Sequence, residues 1–407
     1  MAAPKLRFKD VAGCEFPKLE TRKLKNICHF FSGGTPSSKN KSFYNGNIPF
    51  IRSAEIYGNH TELFLTEAGL KASSAKMVNV GDILYALYGA NSGEVAISKI
   101  KGAINQAILC IRPDNMNKEY LCNYLYFKKR KIVATLLQGG QGNLSGELVK
   151  SIHVPVPSLP EQQKIANFLT TVDRQIDIQS QRVEAMKNRK KGFLQKIFSQ
   201  ELRFKDDEER EYPEWKEKSI ESLGTFFNGL SGKTKLDFEN GNEYFIPYMN
   251  VYKNAFAKTD QLQTVKIKEE EKQNRVNYGD IMFTQSSETV EEVGLSSVWL
   301  GESHPFLNSF CFGFRLTDVK NSVPAFWGVS LRSTAVRKQI MLGGQGISRI
   351  NLSPNRLKKI IVFCPSLPEQ QKIADFLTAV DHQIEVEENR LERMQVIKKG
   401  LLQQMFI

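Results

Sequence analysis

Side chains able to break or make covalent bonds are scattered along this sequence rather than gathered. Gly232-Lys233-Thr234 resembles the end of a phosphate loop, but Phe227 stands where that motif requires glycine. Asp114, Lys118 and Glu119 match no nuclease carboxylate cluster, and no Asn- or Asp-Pro-Pro-aromatic tetrapeptide is present to hold a target amine. The cysteines (Cys14, Cys28, Cys110, Cys122, Cys311, Cys364) and the dispersed histidines lack metal-ligand spacing, so neither a metal site nor a disulfide framework is expected. What remains is chemistry by hydrogen bond and charge. A net charge of +12 attracts phosphate backbones. Asn and Gln pair with adenine edges, Arg and Lys with guanine, and glycine lets main chain approach phosphate closely. Polar residues in glycine-rich loops are the ones placed for contacts of that kind. They are Thr35, Ser37, Lys39, Arg52, Tyr88, Asn91, Gln138 and Gln141 in the first half, and Lys233, Lys235, Asn250, Gln285, Ser286, Gln345 and Arg349 in the second. The Gly-Gln-Gly loops occur in both halves, which suits a shared role such as backbone positioning better than reading of two different sequences.

The elements that must carry these loops are organised by an internal repeat. Residues 157–166 read PSLPEQQKIA, and residues 365–374 read the same ten letters. Leu6-Arg7-Phe8-Lys9-Asp10 recurs from Leu202, Gly81-Asp82-Ile83 from Gly279, and Gly139-Gly140-Gln141-Gly142 from Gly343. The spacing between copies widens along the chain, so the second half carries insertions within its loop-rich part. The chain is a tandem duplication in the order lobe, rod, lobe, rod. Its C-terminus stops where the linker of the first half begins, which makes it quasi-circular with a pseudo-two-fold axis between the rods.

Each rod starts with the same device. Ser158 with Glu161, and Ser366 with Glu369, have the spacing of a capping box, with Pro160 and Pro368 tolerated in the first turn. Apolar residues then recur in heptads: Ile165, Leu169, Val172, Ile176, Val183, Met186, Phe193, Ile197, and again Ile373, Leu377, Val380, Ile384, Leu391, Met394, Leu401, Met405. A helix of roughly 57 Å is expected from each, too long to lie on one lobe. Gln179 and Lys190 interrupt the first seam, Glu387 and Lys398 the second. Polar seam residues cost stability unless they meet, so the pattern predicts antiparallel pairing with Lys190 across from Glu387 and Gln179 across from Lys398.

The lobes read as short β-prone runs, such as residues 48–52, 81–88, 94–100 and 107–112, with helices expected over 120–137 and 324–342. The fold class is α+β: two mixed α/β lobes separated by two long antiparallel coiled-coil helices. The divisions fall at 1–157, 158–201, 202–365 and 366–407. No apolar run of about 18 residues exists and residues 1–9 alternate basic and apolar, so a membrane partner is not expected and a cytoplasmic location is.

This pattern resembles the specificity subunits of type I restriction-modification systems. The likeness covers essentially the whole chain, through the duplicated Leu-Pro-Glu-Gln-Gln-Lys-Ile-Ala helix start, the Gly-Asp-Ile strand, the Ser32-Gly33-Gly34-Thr35-Pro36 loop and the Gly-Gln-Gly loops. The resemblance implies two target-recognition domains, each reading half of a bipartite asymmetric site in double-stranded DNA, and spacer helices that dock two methyltransferase subunits, with restriction subunits joining them. It implies no cofactor and no catalytic site in this chain; S-adenosylmethionine, ATP and magnesium belong to the partners. Asn228-Gly229-Leu230-Ser231-Gly232 is only a degenerate counterpart of the first-lobe Ser-Gly-Gly-Thr-Pro loop. A coiled-coil scaffold would share the rods and the charge, but it leaves two unlike copies of one lobe unexplained.

Overall fold

The computed structural model describes residues 4–136, 144–239, 241–318, 321–346 and 348–406. The chain divides into two compact units, Met1–Ser180 with Asn389–Ile407, and Gln181–Glu388. Each holds one lobe together with part of both long helices, Leu159–Phe198 and Leu367–Met405.

In unit 1 a four-stranded antiparallel sheet runs in the order Cys28–Ser32, Ile108–Pro113, Ile83–Ala86, Val95–Ile97. Ile83-Leu84-Tyr85-Ala86 is buried throughout because the sheet is covered on both faces. Ile83 and Tyr85 face a core with the helix Lys118–Leu136 and the ends of the long helices, through Ile165, Leu169, Leu402 and Phe406. Leu84 and Ala86 face the opposite core, with Ile51 and Ile104. Those two come from a second sheet, Leu63–Leu65, Tyr44–Ile51, Gly102–Ile104, Lys76–Val78, whose inner pair is parallel. A ribbon of Glu20–Lys23 with His153–Val156 completes the lobe.

Unit 2 repeats this topology. Its sheet runs Gly224–Asn228, Cys311–Leu316, Ile281–Thr284, Ser296–Val298, and its ribbon pairs Lys216–Ser219 with Ile361–Cys364. The second sheet keeps three strands, Gln263–Val265, Glu243–Ile246 and Phe306–Leu307; the place of a fourth is taken by a bridge between Arg275 and Phe306. The helix expected over 324–342 is broken into Pro324–Ser330 and Thr334–Leu342. At the break Arg332 turns inward and donates to the carbonyls of Ser296, Val251, Tyr252 and Asn254, contacts that a continuous helix would not offer in this form.

The ten-residue repeat works as a clamp, and it is not the expected capping box. The Ser158 and Ser366 hydroxyls are buried without a partner. Glu161, 1% exposed, instead receives Arg7 through Nε and Nη2 at 2.9 and 2.6 Å, and Glu369 receives Arg203 at 3.2 and 2.9 Å. The side chain of Gln162 accepts from the Asn117 amide and donates to the Pro157 carbonyl; Gln370 does the same with Val323 and Pro365. Lys164 and Lys372 donate to the carbonyls of Lys9 and Lys205. Linker, lobe and helix are thus tied at one point in each unit, which explains why these letters are duplicated. Leu6 donates its amide to Gln404 O at 3.1 Å, the equivalent of the Leu202 to Lys196 bond at 3.0 Å. The chain ends in unit 1 are therefore joined by hydrogen bond where unit 2 has continuous chain.

The helices pair antiparallel within each unit, but the register differs from the expected one. In unit 2 Lys190 binds Asp381 at 2.5 Å, about one heptad before Glu387, while Glu387 receives Arg182 at 2.8 Å. In unit 1 Lys398 binds Asp173 rather than lying across from Gln179, which is buried. The reason is charge. The expected register gives one lysine an uncharged amide, whereas the observed one gives each lysine a carboxylate flanking the seam, and long side chains reach such positions easily. Phe193 meeting Phe376 edge-on, centroids 5.0 Å apart, agrees with the observed register.

Candidate nucleic-acid interface

Strand register gathers the variable loops at one end of each lobe. In unit 1 Ser32 pairs with Leu109 and Ala86 with Ile108, so residues 33–40, 87–94 and 105–107 leave the sheet together. The main chain of Leu87 stitches them, donating to Ala107 and accepting from Leu144. In unit 2 Asn228 pairs with Phe312 and Thr284 with Cys311, which brings together 229–234, 285–295 and 308–310. Gln285 does the stitching there, donating to Phe310 and accepting from Leu352. The short pairing of Ser286–Ser287 with Ile350–Asn351 adds the Gly-Gln-Gly segment of unit 2 to the same edge.

In unit 1 the Ser-Gly-Gly-Thr-Pro loop is tightly threaded. A Cβ on Gly33 would fall 1.8 Å from the Ile104 carbonyl oxygen, so only glycine fits. Thr35 is exposed, with its hydroxyl bonded to Gln106 at 2.6 Å, and Tyr44 fixes the Pro36 carbonyl. Ser37 and Lys39 stand exposed beyond it. Tyr88 is exposed and Asn91 half-exposed on a loop whose turns need glycine at 89 and 93, both at positive φ. Arg52 is held by Glu55 and Glu62, which raise its pKa further, so its charge is balanced rather than offered. Gln138 and Gln141 lie outside the described residues.

In unit 2 two candidates have internal roles. The Lys233 side chain is 4% exposed, ion-paired with Glu271 and bonded to the Lys266 carbonyl. Asn250 is 2% exposed and spends both amide atoms on the main chain of Lys258. Neither can reach a base from there; both brace the lobe. Lys235, Gln285, Gln345 and Arg349 are exposed and Ser286 half-exposed. Gln345 is held by its main chain, which exchanges hydrogen bonds with Asn351, leaving the side chain at the edge.

The sequence reading missed the residues that hold these loops in shape. Tyr57 donates to Glu94 at 2.5 Å, and Lys129 also binds Glu94. Burial works to raise the Glu94 pKa, but the two donors outweigh it and hold the carboxyl below its usual range. The counterpart in unit 2 is Tyr252 donating to Glu292, with Tyr248 stacked on Tyr252 and bonded to the Ser286 carbonyl. Arg337 donates to the carbonyls of Glu291, Val293 and Gly294. Burial lowers the pKa of Arg332 and of Arg337 to about 10, a cost offset by the several carbonyls each fixes: Arg337 those of the 285–295 loop, Arg332 those of Ser296 and of residues 251–254 beside it. Repeat alignment could have flagged Tyr57 with Tyr252, but strand register sets Glu94 at the place of Leu295 and Glu292 at that of Asn91, so the two carboxylates reach their tyrosines from different positions; nothing local marks the arginines. The two edges thus share one frame and differ in what they display: residues 87–94 read LYGANSGE, residues 285–295 read QSSETVEEVGL.

A family model for the type I restriction modification DNA specificity domain matches residues 18–188 and again 212–395. The MjaIX specificity subunit of a type I restriction enzyme from Methanocaldococcus jannaschii is 28% identical over 72% of this chain and 72% of its own length. The MjaVIII specificity subunit of the same organism is 22% identical over 97% of this chain and 94% of its own. Among solved structures, the S subunit of a type I restriction-modification system from M. genitalium superimposes with a TM-score of 0.57 at 14% identity, covering 100% of this chain and 99% of that one. A chain from a structural study of complex assembly and conformational transition in a type I system gives 0.59 at 14% identity, over 96% and 98%.

Proposed function

The chain belongs to the type I restriction modification DNA specificity family, and from that premise we propose that each lobe reads one half of a bipartite, asymmetric DNA site while the long helices set the spacing and dock the methyltransferase subunits. It is a non-catalytic subunit: methyl transfer, ATP hydrolysis and cleavage belong to the methyltransferase and restriction subunits with which it acts on double-stranded DNA. S-adenosylmethionine, ATP and magnesium are expected on those partners.

The observation that carries this reading is the contrast inside each unit. The clamp of Arg7, Glu161 and Gln162 recurs atom for atom as Arg203, Glu369 and Gln370, whereas the loops at the sheet edges differ in sequence on the same strand frame. Two readers of different half-sites on one duplicated support would need that division. In the reading edges Thr35, Ser37, Lys39, Tyr88 and Asn91, and Lys235, Gln285, Ser286, Gln345 and Arg349, supply base or phosphate contacts.

The test is a lobe exchange. Replacing residues 16–157 with the lobe of a relative, co-expressing the chimaera with the methyltransferase subunit and mapping methylated adenines should change one half-site and keep the other half-site and the spacer. A change in both half-sites would overturn the reading.

A further inference from the structure

We propose that unit 1 binds an extended segment of a protein partner along the free edge of the strand Val95–Ile97. The segment runs parallel to that strand, seats one short aliphatic side chain against Cys122 and places a basic residue, two positions later, at Asp177. The observation is a difference between two copies of one edge. Val95–Ile97 and Ser296–Val298 are each the outer strand of a four-stranded sheet, and register sets Ile97 at the place of Val298. The next residue, Ser98 or Trp299, donates its amide inward to Asp82 or Asp280. Antiparallel pairing alternates, so the amide and carbonyl of Ile97 and of Val298 point outward. Such an edge is a template for another strand.

In unit 2 the chain covers this edge itself. The Val298 amide donates to the Ala255 carbonyl at 2.9 Å and the Val298 carbonyl accepts from the Ala257 amide at 3.0 Å, so Phe256 forms a parallel bridge with Val298. The Phe256 ring lies on Gly328, where an added Cβ would fall 2.4 Å from it. Lys258 then reaches Glu385 of the long helix at 2.9 Å. These residues belong to the connection 253–262, which leads from Tyr252 to the strand Gln263–Val265; its counterpart in unit 1, from Tyr57 to Leu63–Leu65, runs only 58–62. None of residues 58–62 lines the cleft left beside the edge, an open space of about 410 Å³ bordered by Ile97, Lys99, Cys122, Asn123, Tyr126 and Asp173 among others. Its walls offer surface: Lys99 and Tyr126 are exposed, and Ile97, Cys122 and Asn123 are half-buried. Among the described residues no hydrogen bond reaches the main chain of Ile97 from the open side. The guest's chemistry follows from the covered copy. Asp177 stands where the second long helix has Glu385, 208 residues on, and it is exposed with no ion pair among the described residues, so a basic residue suits it as Lys258 suits Glu385. Asn117 and Val323 receive the same glutamine of the repeat, which sets Cys122 at the place of Gly328. The cysteine side chain takes space that the Phe256 ring uses in unit 2, so the side chain entering unit 1 is shorter than phenylalanine.

Fluorescence anisotropy of labelled peptides titrated with the full chain tests this. The probes are the peptide of residues 252–260 and its Phe256→Val form. The valine form should saturate one site per chain, and the phenylalanine form should bind about tenfold more weakly, because its ring overpacks against Cys122. Cys122→Gly in the protein should reverse that order. Ile97→Pro removes an outward amide that the sheet itself does not use, so it should abolish binding and leave the edge strand folded. Asp177→Lys should weaken binding about threefold. Hydrogen exchange in residues 95–99 should slow when the valine peptide is added, with no change in residues 296–300. Should Ile97→Pro not fold, Cys122→Gly and the exchange measurement decide. Absence of saturable binding, equal binding of the two forms, an order unchanged in Cys122→Gly, undiminished binding to folded Ile97→Pro or to Asp177→Lys, or unaltered exchange in residues 95–99 would each overturn the proposal.

Discussion

Glu161 and Glu369 are the residues on which each unit's linker, lobe and helix converge. Removing one charge of a buried, bidentate pair costs more than an exposed pair would, so Glu161→Gln should destabilise unit 1 by about 2–4 kcal/mol. Glu369→Gln should cost unit 2 more, since it also weakens the Trp215 bond. Trp215, Trp299 and Trp327 all belong to unit 2, so tryptophan fluorescence during urea unfolding should shift in Glu369→Gln and stay nearly unchanged in Glu161→Gln, where hydrogen exchange in residues 20–23 and 153–156 reports the loss. A second carboxylate sets acid sensitivity. Burial works to raise the Asp82 pKa, but Arg112, donating at 2.9 and 2.6 Å, and the Asn79 amide outweigh it and hold it below the ordinary range. With the folded pKa depressed, its stabilisation is present above the ordinary carboxylate pKa and fades as pH falls through the folded value. Between roughly pH 4 and 2 the wild type should therefore lose stability more steeply than Asp82→Asn, and at pH 7 it should be the more stable of the two. At this scale the sequence put forward loop residues such as Lys39, Tyr88 and Arg349, which stand exposed. Lys233 and Asn250 looked the same in one dimension, because Glu271 and the Lys258 main chain become neighbours only through folding.

The long helices were legible as elements, down to their duplicated starts, and misread in register. Heptad reasoning weighs seam residues against one another, while the ion pairs that fix the register use Asp173 and Asp381 beside the seam. Charge reversal separates the two registers. Lys190→Glu should destabilise unit 2 by about 0.5–1.5 kcal/mol, and adding Asp381→Lys should recover most of it. Adding Glu387→Lys instead should recover none and break the Arg182 pair as well. Urea midpoints of the single and paired variants measure this directly; recovery with Glu387→Lys would restore the register expected from the seam alone. The break in the helix after Ser330 is likewise tertiary in origin, since residues 331–333 hold no proline or glycine and the demand comes from the carbonyls that Arg332 serves.

For the whole molecule, a basic chain without catalytic machinery should bind DNA with weak specificity by itself and with steep dependence on salt. The logarithm of the association constant should fall linearly with the logarithm of salt concentration, by about 0.9 for each phosphate engaged. Fluorescence anisotropy across a salt series gives that slope, and tighter, site-specific binding should require the methyltransferase partner. Methyl transfer by the purified chain alone would contradict its non-catalytic role.

The duplication, the order lobe, rod, lobe, rod, the family and the absence of transfer or cleavage motifs could be read from one dimension. They rest on identity at fixed spacing and on periodicities of two and 3.6, which are local properties of a chain. The loops that share an edge, the glutamates that receive Arg7 and Arg203 and the heptad register could not. Each depends on which distant residues strand pairing and helix packing bring within a few ångströms.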